Sequence, residues 1–446
     1  MNAFHAYDIR GIYNVDFNKN DAYKVGYFLP KLLKTNKILV GRDMRVSSPE
    51  IYEYLTAGIT DSGADVYNIG LSTTPMVYYS TAKFDFKASV QITASHNGKE
   101  YNGMKISREN ALPVGFDTGL GELQKMMQTE EIVLQAKGKI IDFEVKDKYI
   151  EFLSKYIPDV SNLKIAVDCS NGMAALLIKD LLGNKPAYIY DELDGTFPNH
   201  EANPLILKNV LDLIALVEKE KADIGVIFDG DADRVMFVDE KGNFISPDLM
   251  IALFGHYFLE GKNIKAKVLQ DIRTSKAVGE YLQQFGVEMH MWRVGRAFAA
   301  HKLREIDGLF GGELAGHYYF GDFFYSDSGL LAALIVLDIV AKKKKEGKTL
   351  SELIAKIKAY ANSGEINFKI AQKQEAMDAV RAAMLAEEKA TASYDFDGYR
   401  VEFNDWWFNI RPSNTEPYLR LIAEARTEEL LAEKLQKIKK IIATFS

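Results

Sequence analysis

Three aspartates at a spacing of two, directly after a short apolar run, constrain this chain more than any other feature. The run is Ile224–Phe228, and its short, β-branched composition predicts a buried strand. The apolar run at 235–238 predicts a second strand. The acids between the two strands are Asp229, Asp231 and Asp233. They therefore lie on a tight loop, where alternate side chains can point the same way.

This acidic loop predicts a metal site. Three hard oxygen donors so close would repel one another unless a cation joined them, and such donors favour Mg²⁺ or Ca²⁺. The spacing also matches an EF-hand, with Glu240 at the twelfth position. Arg234, however, stands where that calcium loop needs glycine, and the flanks predict strands rather than helices. A non-catalytic calcium-binding module is therefore the distant alternative. A cation beside the acids suits a phosphate ligand, and so phosphoryl chemistry.

Phosphoryl chemistry needs a nucleophile, and a serine loop offers one. Ser95 follows a predicted strand at 88–93 and precedes Asn-Gly pairs at 97–98 and 102–103. Glycine allows positive φ, so we expect a shaped loop that presents the hydroxyl. An ordinary polar turn is the plainer interpretation of a lone serine. His96 implies no hydrolase triad, because adjacent side chains on an extended loop diverge. Lys105 offers an acid/base group or a phosphate partner.

A donor-rich loop near the C-terminus predicts an anion site. It lies between strand-like runs at 406–410 and 418–423 and contains Arg411, Ser413, Asn414 and Thr415. One guanidinium, two hydroxyls and an amide within five residues suit a phosphate. A capped turn is the plainer alternative.

With one further motif, these segments resemble the α-D-phosphohexomutases, most closely the bacterial and archaeal phosphomannomutase/phosphoglucomutase group. The family hallmarks are Thr-x-Ser-His-Asn, Asp-Gly-Asp-x-Asp-Arg, Gly-Glu-x-x-Gly-His and Arg-x-Ser-Asn-Thr-Glu-Pro. This chain has them at 93–97, 229–234, 312–317 and 411–417, in that order. Further matches occur at 6–11, 41–43, 74–75 and 194–200. The resemblance covers essentially the whole chain.

Internal repetition predicts several domains. Segments 37–43, 164–172 and 267–275 each predict a buried strand, a polar loop and then a helix, at intervals of about a hundred residues. After residue 364 the pattern changes to short strands around 400–403 and 406–410 and closing helices such as 428–443. We therefore predict an α/β fold of three similar mixed α/β domains plus a smaller α+β C-terminal domain. The expected ranges are 1–145, 146–249, 250–364 and 365–446, and the resemblance implies one motif from each around a central active-site cleft.

Bulk properties exclude several classes. The 446 residues are too many for one core. A formal net charge of −7, with no basic cluster apart from 342–345, argues against a nucleic acid partner. The single cysteine, Cys169, excludes a disulfide framework and a cysteine-based zinc site. The longest apolar run, 329–337, is too short to span a bilayer, and the N-terminus lacks an apolar signal region. We expect a cytoplasmic protein without a membrane partner.

The resemblance implies an enzyme that interconverts hexose 1-phosphate and hexose 6-phosphate, of mannose, glucose or both. Ser95 is then the phosphoserine, which passes its phosphoryl group to the sugar and gives a hexose 1,6-bisphosphate intermediate and activator. Ser95 and the three aspartates are expected to bind Mg²⁺. Arg10, Lys105 and Arg234 surround the transferring group. The general acid/base is one of Arg10, Lys105 and His317, with Lys105 the first choice.

The resemblance also implies how a phosphosugar substrate is held. Glu313 accepts hydrogen bonds from vicinal hydroxyls, and the C-terminal loop binds the phosphate that is not reacting. The expected substrate-binding set is Tyr7, Arg273, Arg293, Gly295, Arg296, Glu313, His317, Arg411, Ser413, Asn414 and Thr415.

Four positions depart from the family pattern and bear on substrate preference. They are Gly98 in place of proline, Arg273 in place of lysine, Arg296 in place of histidine and Ala315 in place of serine. Gly98 makes the serine loop less stiff, because glycine lacks the fixed φ of proline. Phosphoglucosamine mutase is the alternative within the class, and Leu314 and Asn414 favour mannose or glucose.

Overall fold

Four sheets, each with its own helices, make up the chain in the computed structural model, which describes residues 3–413 and 417–445. The first three belong to mixed α/β domains and the fourth to a smaller α+β domain. The predicted fold class is therefore confirmed. The domain boundaries stay predictions.

Domain I is built on a six-stranded sheet. Its strands are β1 (Ile9–Ile12), β2 (Lys37–Arg42), β3 (Asp65–Leu71), β4 (Ala88–Ile92), β5 (Tyr101–Arg108) and β6 (Ile140–Asp142). Its helices are α1 (Lys19–Leu32), α2 (Ser48–Asp61), α3 (Thr74–Lys83) and α4 (Leu120–Thr129). The strand order is β1-β5-β4-β2-β3-β6, with β4 parallel to β2 and antiparallel to β5. The serine loop joins β4 to β5, so the carboxyl end of a fully buried strand presents Ser95.

Domain II places the acidic loop at 229–233, the predicted metal loop, in the same way. Its helices are α5 (Lys146–Ser154), α6 (Ile178–Leu182) and α7 (Leu211–Glu220). Its strands are β7 (Ile165–Asp168), β8 (Ala187–Ile189), β9 (Ile224–Phe228), β10 (Val235–Asp239) and β11 (Phe244–Ile245), in the order β11-β10-β9-β7-β8. The acids connect β9 to its antiparallel neighbour β10, and both strands are wholly buried. The two predicted strands around the acids are confirmed.

Domain III carries the motif at 312–317, the predicted sugar loop, between β14 and β15. Its helices are α8 (Pro247–Leu253), α9 (Gly255–Phe258), α10 (Lys276–Leu282), α11 (Arg296–Glu305), α12 (Gly329–Lys345) and α13 (Leu350–Ile357). Its strands are β12 (Lys267–Asp271), β13 (Glu288–Trp292), β14 (Phe310–Gly312), β15 (Tyr318–Phe320) and β16 (Ser326–Asp327), in the order β13-β12-β14-β15-β16.

Domain IV is antiparallel. Its strands are β17 (Ala361–Asn362), β18 (Ile366–Phe368), β19 (Ala392–Tyr394), β20 (Tyr399–Glu402), β21 (Trp406–Pro412) and β22 (Leu419–Ala425). Its helices are α14 (Lys373–Glu387) and α15 (Glu428–Ala443). The strand order is β17-β22-β21-β20-β19, and β18 also pairs with β22. The donor-rich loop follows β21. Thr427 caps α15, so the closing helix begins where the sequence predicts.

Domains II and III share an apolar core, whereas domains I and IV each have a core of their own. Helix α12 is buried along most of its length and packs against α9 of domain III and β10 of domain II. Its cluster also includes residues of α3 in domain I. Domain IV has a core of its own around Trp406. Across residues 3–413 and 417–445, no helix combines the length and apolar character that a bilayer crossing requires.

Candidate active site

A cleft of about 930 Å³ lies where the four domains meet. Domain I contributes Tyr7, Arg10, Ser95 and Lys105 to its lining, and domain II contributes Asp233 and Arg234. Domain III contributes Arg273, Gly295, Arg296, Glu313 and His317, and domain IV contributes Glu365, Asn367 and Arg420. The structure thus brings motifs from three of the four predicted loops to one cavity.

Ser95 is held at the edge of the acidic loop. Its Oγ donates a hydrogen bond to Asp229 Oδ2 at 2.8 Å, and its backbone N–H donates to Thr93 Oγ1 at 2.9 Å. The residue is buried and has a φ of 52°. A left-handed backbone costs a residue with a side chain about 1–2 kcal/mol. Strain of this size is therefore stored at Ser95.

The prediction that the two Asn-Gly pairs shape the loop through positive φ is wrong, because neither Gly98 nor Gly103 has a positive φ. Gly103 instead permits a close approach, since a Cβ there would lie 2.1 Å from the Ile9 carbonyl oxygen. The expectation that His96 diverges from Ser95 is also wrong. Because Ser95 is left-handed rather than extended, His96 Nδ1 lies 3.3 Å from Ser95 Oγ. Burial, together with Arg234 and Arg10, holds the pKa of His96 well below its usual value.

The three aspartates form a compact, fully buried cluster. One ligand atom from each lies within 4.8 Å of the others. Burial, followed by the charges of Asp233 and Asp231, raises the pKa of Asp229 well above its ordinary value. Among the described residues, nothing donates a hydrogen bond to Oδ1 of Asp231 or Asp233. Buried carboxylate oxygens without partners are costly, and an all-oxygen set of this kind fits a hard divalent cation. The observed residues therefore fit the predicted metal.

Basic groups surround this cluster. Lys105 Nζ lies 2.6 Å from Asp231 Oδ2 and 2.5 Å from Asp233 Oδ2. Burial opposes its charge, but the two carboxylates outweigh it and raise the pKa of Lys105. Arg10 donates to Asn97 Oδ1 at 2.9 Å and pairs with Asp8.

His317 is fixed through both of its ring nitrogens. Arg234 Nε lies 2.9 Å from Nε2, and Nδ1 lies 2.6 Å from Asp327 Oδ2. Because the guanidinium can only donate, Nε2 accepts and Nδ1–H donates to Asp327. Hydrogen bonds therefore account for the second group of potential metal ligands, Asp233, His317 and Asp327.

Glu313 is anchored on the opposite side of the cleft. Its carboxylate accepts from Tyr319 Oη at 2.5 Å and from the Gly295 N–H at 3.2 Å. Burial raises the pKa of Glu313. Arg273 lies 3.9 Å away and pairs with Asp271 at 2.8 Å. Gly295 has a φ of 126°, and a Cβ there would lie 2.9 Å from the Tyr7 ring. Glycine is therefore required where Tyr7 approaches.

Three described residues of the predicted substrate set do not line the cavity. Arg293 is exposed, and its guanidinium stacks 4.2 Å from the centre of the Phe298 ring. Arg411 is buried and donates from Nε to Asp397 Oδ1 at 3.1 Å. Ser413 donates its backbone N–H to Tyr418. Asn414 and Thr415 lie outside the described residues.

Sequence reasoning missed several residues of the site. Asp327 on β16 binds both His317 and Arg296, the latter from Nε at 3.0 Å. Glu365 lies 3.1 Å from Arg420 and 3.9 Å from Arg273. Asp327 stands in no recognised motif. Glu365 directly follows the break at 364, and that position was its only signal.

Comparisons with known proteins agree with this geometry over the whole chain. The phosphoglucomutase/phosphomannomutase family matches by its α/β/α domain I at 1–131, domain II at 147–242, domain III at 246–360 and C-terminal domain at 365–441. The chain belongs to this family. It is therefore a phosphohexomutase of the α-D-phosphohexomutase superfamily, an isomerase that works as an intramolecular phosphotransferase. The calcium-module alternative is wrong, since strands flank the acids and the chain matches an enzyme family throughout.

Individual relatives give the same result. A phosphomannomutase of Methanocaldococcus jannaschii is 37% identical, with 99% of this chain and 97% of the relative covered. A phosphomannomutase of Escherichia coli is 36% identical, with 97% of each covered. The crystal structure of a family protein from Burkholderia thailandensis has a TM-score of 0.87 at 27% identity, covering 99% of this chain and 97% of that one.

Proposed function

We propose that this phosphohexomutase interconverts the 1- and 6-phosphates of mannose or glucose through a phosphorylated Ser95 and a hexose 1,6-bisphosphate. The observation that carries the proposal is the position of Ser95 Oγ, 2.8 Å from Asp229 and beside carboxylate oxygens without partners. A phosphoryl group on that oxygen would share a cation with the three aspartates. The hydroxyl-binding Glu313 lines the same cleft.

The transfer balances as two displacements. In the first, a sugar hydroxyl attacks the phosphorus on Ser95 and the P–Oγ bond breaks; the acid protonates the departing Oγ and takes up the hydroxyl proton in exchange. In the second, Ser95 Oγ attacks the other phosphoryl group of the bisphosphate and the bond from phosphorus to the sugar oxygen breaks; the same group protonates the departing sugar oxygen and takes up the Oγ proton. Between the steps the bisphosphate must turn over. The net result moves the phosphoryl group between the two ends of one sugar.

We assign Mg²⁺ to Asp229, Asp231, Asp233 and the phosphorylated Ser95, where it would spread the charge of the transferring group. Arg10 and Arg234 supply further positive charge close to Ser95. We assign the proton transfer to Lys105, because a guanidinium does not titrate and both ring nitrogens of His317 are engaged in hydrogen bonds. The neighbouring carboxylates keep Lys105 protonated, so it is prepared to act first as the acid.

Domains III and IV would bind the sugar and the phosphate that is not reacting. Glu313 accepts hydrogen bonds from vicinal hydroxyls in either orientation of the sugar. Arg273 lines the same side, and Arg411 and Ser413 belong to the loop proposed for the second phosphate. Mannose is favoured by the names of the relatives, and Ala315 removes one hydroxyl contact.

The deciding experiment joins an activity assay to a mass measurement. Mannose 1-phosphate, glucose 1-phosphate and glucosamine 1-phosphate are each supplied with a hexose 1,6-bisphosphate activator and Mg²⁺. We expect turnover of mannose or glucose phosphate, and a single added phosphate that maps to Ser95. Phosphate on another residue would contradict the mechanism. Preferred turnover of glucosamine 1-phosphate would favour the phosphoglucosamine alternative.

A further inference from the structure

The buried guanidinium of Arg45 donates hydrogen bonds to the backbone of the serine loop. Its Nη2 donates to the carbonyl oxygens of Ser95 at 2.9 Å and Asn97 at 2.7 Å. Its Nη1 donates to those of Gly98 at 2.6 Å and Tyr101 at 3.0 Å. Nε donates to Asp43 Oδ2 at 3.1 Å. All five guanidinium N–H groups therefore have acceptors: three are backbone carbonyls of the serine loop, one is that of Tyr101 at the start of β5, and one is Asp43.

This loop needs an external restraint. Ser95 is held in a left-handed conformation, and the loop has glycine at 98, so no proline ring fixes φ there. Asp43 is itself anchored, because its backbone N–H donates to Ile92 at the end of β4. Arg45 thus ties the loop to the strand that presents it.

A segment of domain II covers the guanidinium. The Phe197 ring centre lies 5.0 Å from Arg45 Cζ. Two residues earlier the chains almost touch, since a Cβ on Gly195 would lie 2.4 Å from the Met44 carbonyl oxygen. The sequence motif at 194–200, which the catalytic chemistry does not use, therefore packs on Arg45.

The same segment reaches the metal loop. Asn199 donates to Asn171 Oδ1 at 2.8 Å. The neighbouring Gly172 packs so closely that a Cβ on it would lie 2.9 Å from the Gly230 carbonyl oxygen. Gly230 in turn approaches Ser95, with its own Cβ position 2.4 Å from the Ser95 carbonyl oxygen. A continuous set of contacts therefore runs from Arg45 to both reacting loops.

We propose that Arg45, covered by Phe197, is a positioning residue that holds Ser95 against the metal loop across the boundary of domains I and II. The inference rests on the proposed role of Ser95 as phosphoryl carrier. Without the four hydrogen bonds, Ser95 relaxes from its strained conformation and Oγ leaves Asp229. Phosphoryl transfer to Ser95 then slows, while the sugar-binding side of the cleft is unchanged.

Arg400 provides a matched control. It is also fully buried, stacks 3.8 Å from the Trp407 ring centre, and donates to the carbonyl oxygens of Ile272 at 2.8 Å and Thr274 at 2.6 Å. These carbonyls flank Arg273 on the opposite side of the cleft. Arg45→Lys and Arg400→Lys are therefore equivalent changes at the reacting end and the inert end.

The measurements are the rate of Ser95 phosphorylation by a hexose bisphosphate, kcat, KM and the melting temperature. In Arg45→Lys, we expect phosphorylation and kcat to fall about tenfold or more, with KM within about threefold of wild type. In Arg400→Lys, KM should rise, and phosphorylation at saturating bisphosphate should stay within about threefold. A loss of packing alone would lower the melting temperature of both variants without separating kcat from KM.

Phe197→Leu keeps every Arg45 hydrogen bond and removes only the covering ring. We expect phosphorylation to slow about three- to tenfold with an unchanged KM, and this variant decides alone if Arg45→Lys does not fold. Wild-type rates of phosphorylation in the folded variants, or the same kcat and KM changes in Arg45→Lys and Arg400→Lys, would overturn the inference alone. No phosphate on wild-type Ser95 would overturn the proposed function and the inference with it.

Discussion

The two ends of the cleft differ in how their charges are balanced. At the proposed reacting end, Lys105 pairs with two of the three buried aspartates, and two carboxylate oxygens lack donors within the described ranges. At the other end, each carboxylate has a direct partner, as in the pair of Asp271 with Arg273 and that of Asp397 with Arg411. The proposed reacting end thus has acceptor oxygens left for a cation, whereas these two carboxylates at the other end are balanced by arginines.

The ends also differ in rigidity. Backbone hydrogen bonds and close glycine contacts fix the serine and metal loops. Domain IV reaches the cleft through long side chains, such as Glu365 beside Arg420 at 3.1 Å. A nucleophile benefits from a fixed geometry, while a site that must accept either end of a bisphosphate benefits from adjustable side chains. Four predictions test this contrast.

The largest effect is expected from Ser95→Ala, which removes the nucleophile from the rigid end. Mutase turnover should fall by several orders of magnitude, because no other group can carry the phosphoryl group. Steady-state kinetics and intact-protein mass spectrometry after exposure to a hexose bisphosphate measure it. Ser80→Ala is the control, since Ser80 is equally buried but only donates to the Met76 carbonyl on α3. Near-normal turnover in Ser95→Ala would contradict the mechanism.

Asp231→Asn should weaken the proposed cation site without unfolding the protein. The change relieves repulsion among the acids but removes a charged ligand, so activity should fall by about a hundredfold or more. A Mg²⁺ titration of activity should shift to higher concentration. Asp239→Asn, at the end of the same hairpin, is the control, because Asp239 caps the turn through the N–H groups of Lys241 and Asn243. Full wild-type activity in excess chelator would remove the metal from the mechanism.

Arg411→Ala tests the adjustable end. A charge-assisted contact to the inert phosphate is worth roughly 1.5–3 kcal/mol. Since this contact is the same in ground and transition states, the loss should appear mainly as a raised KM, with kcat/KM about ten- to a hundredfold lower. Arg293→Ala is the comparison, and we expect a change below about threefold because that guanidinium stacks on Phe298 outside the cleft. An unchanged KM with both 1- and 6-phosphosugars would take Arg411 out of the site.

The smallest effect is expected in stability, at the contact of domains III and IV. Glu424 of β22 accepts from Ser275 at 2.7 Å and from Trp407 at 2.8 Å. Burial, with Asp248, raises the pKa of Glu424 from 4.5 to about 7. A carboxyl with a raised pKa in the folded state stabilises the fold most below its unfolded pKa. This contribution is lost as the pH rises from 4.5 to about 7.

Glu424→Gln should therefore flatten that pH dependence. Between pH 5 and pH 8, the melting temperature of Glu424→Gln should fall by a few degrees less than that of the wild-type protein. Thermal unfolding of both proteins across this range measures the difference. Parallel curves would show that Glu424 does not titrate there.

Local patterns in the sequence predicted the frame of the molecule but not its cross-connections. Strands β9 and β10 and helix α15 follow from apolar periodicity and turn residues, which act over short distances. Asp327 lies 10 residues after His317 and 31 after Arg296, and the pairing of β16 with β15 brings it to His317. The left-handed backbone of Ser95 was not predicted, because the Asn-Gly pairs indicated positive φ at the glycines. Four carbonyl contacts to Arg45 instead favour the left-handed conformation at the serine.

The partner of Arg411 was missed for a similar reason. Arg411 lies on β21, whereas Asp397 precedes the neighbouring strand β20. The loop motif at 411–417 carries no information about a residue beside another strand. Substrate preference is equally hidden from the sequence. Ala315 and Arg296 mark where the site departs from its family, but their effect depends on a three-dimensional arrangement that includes Asp327 and Tyr78.

The shared core around α12 bears on how the protein comes apart. A cooperative unfolding unit is a set of elements that cannot lose structure separately without exposing a common apolar interior. Because α12 packs against β10, domains II and III form one such unit, and domain I, which has a core of its own, joins their cluster through α3. Domain IV, with its own core around Trp406, forms a second. Partial denaturation would therefore unfold domain IV in a step separate from the metal loop, because no residue of its apolar cluster belongs to another domain.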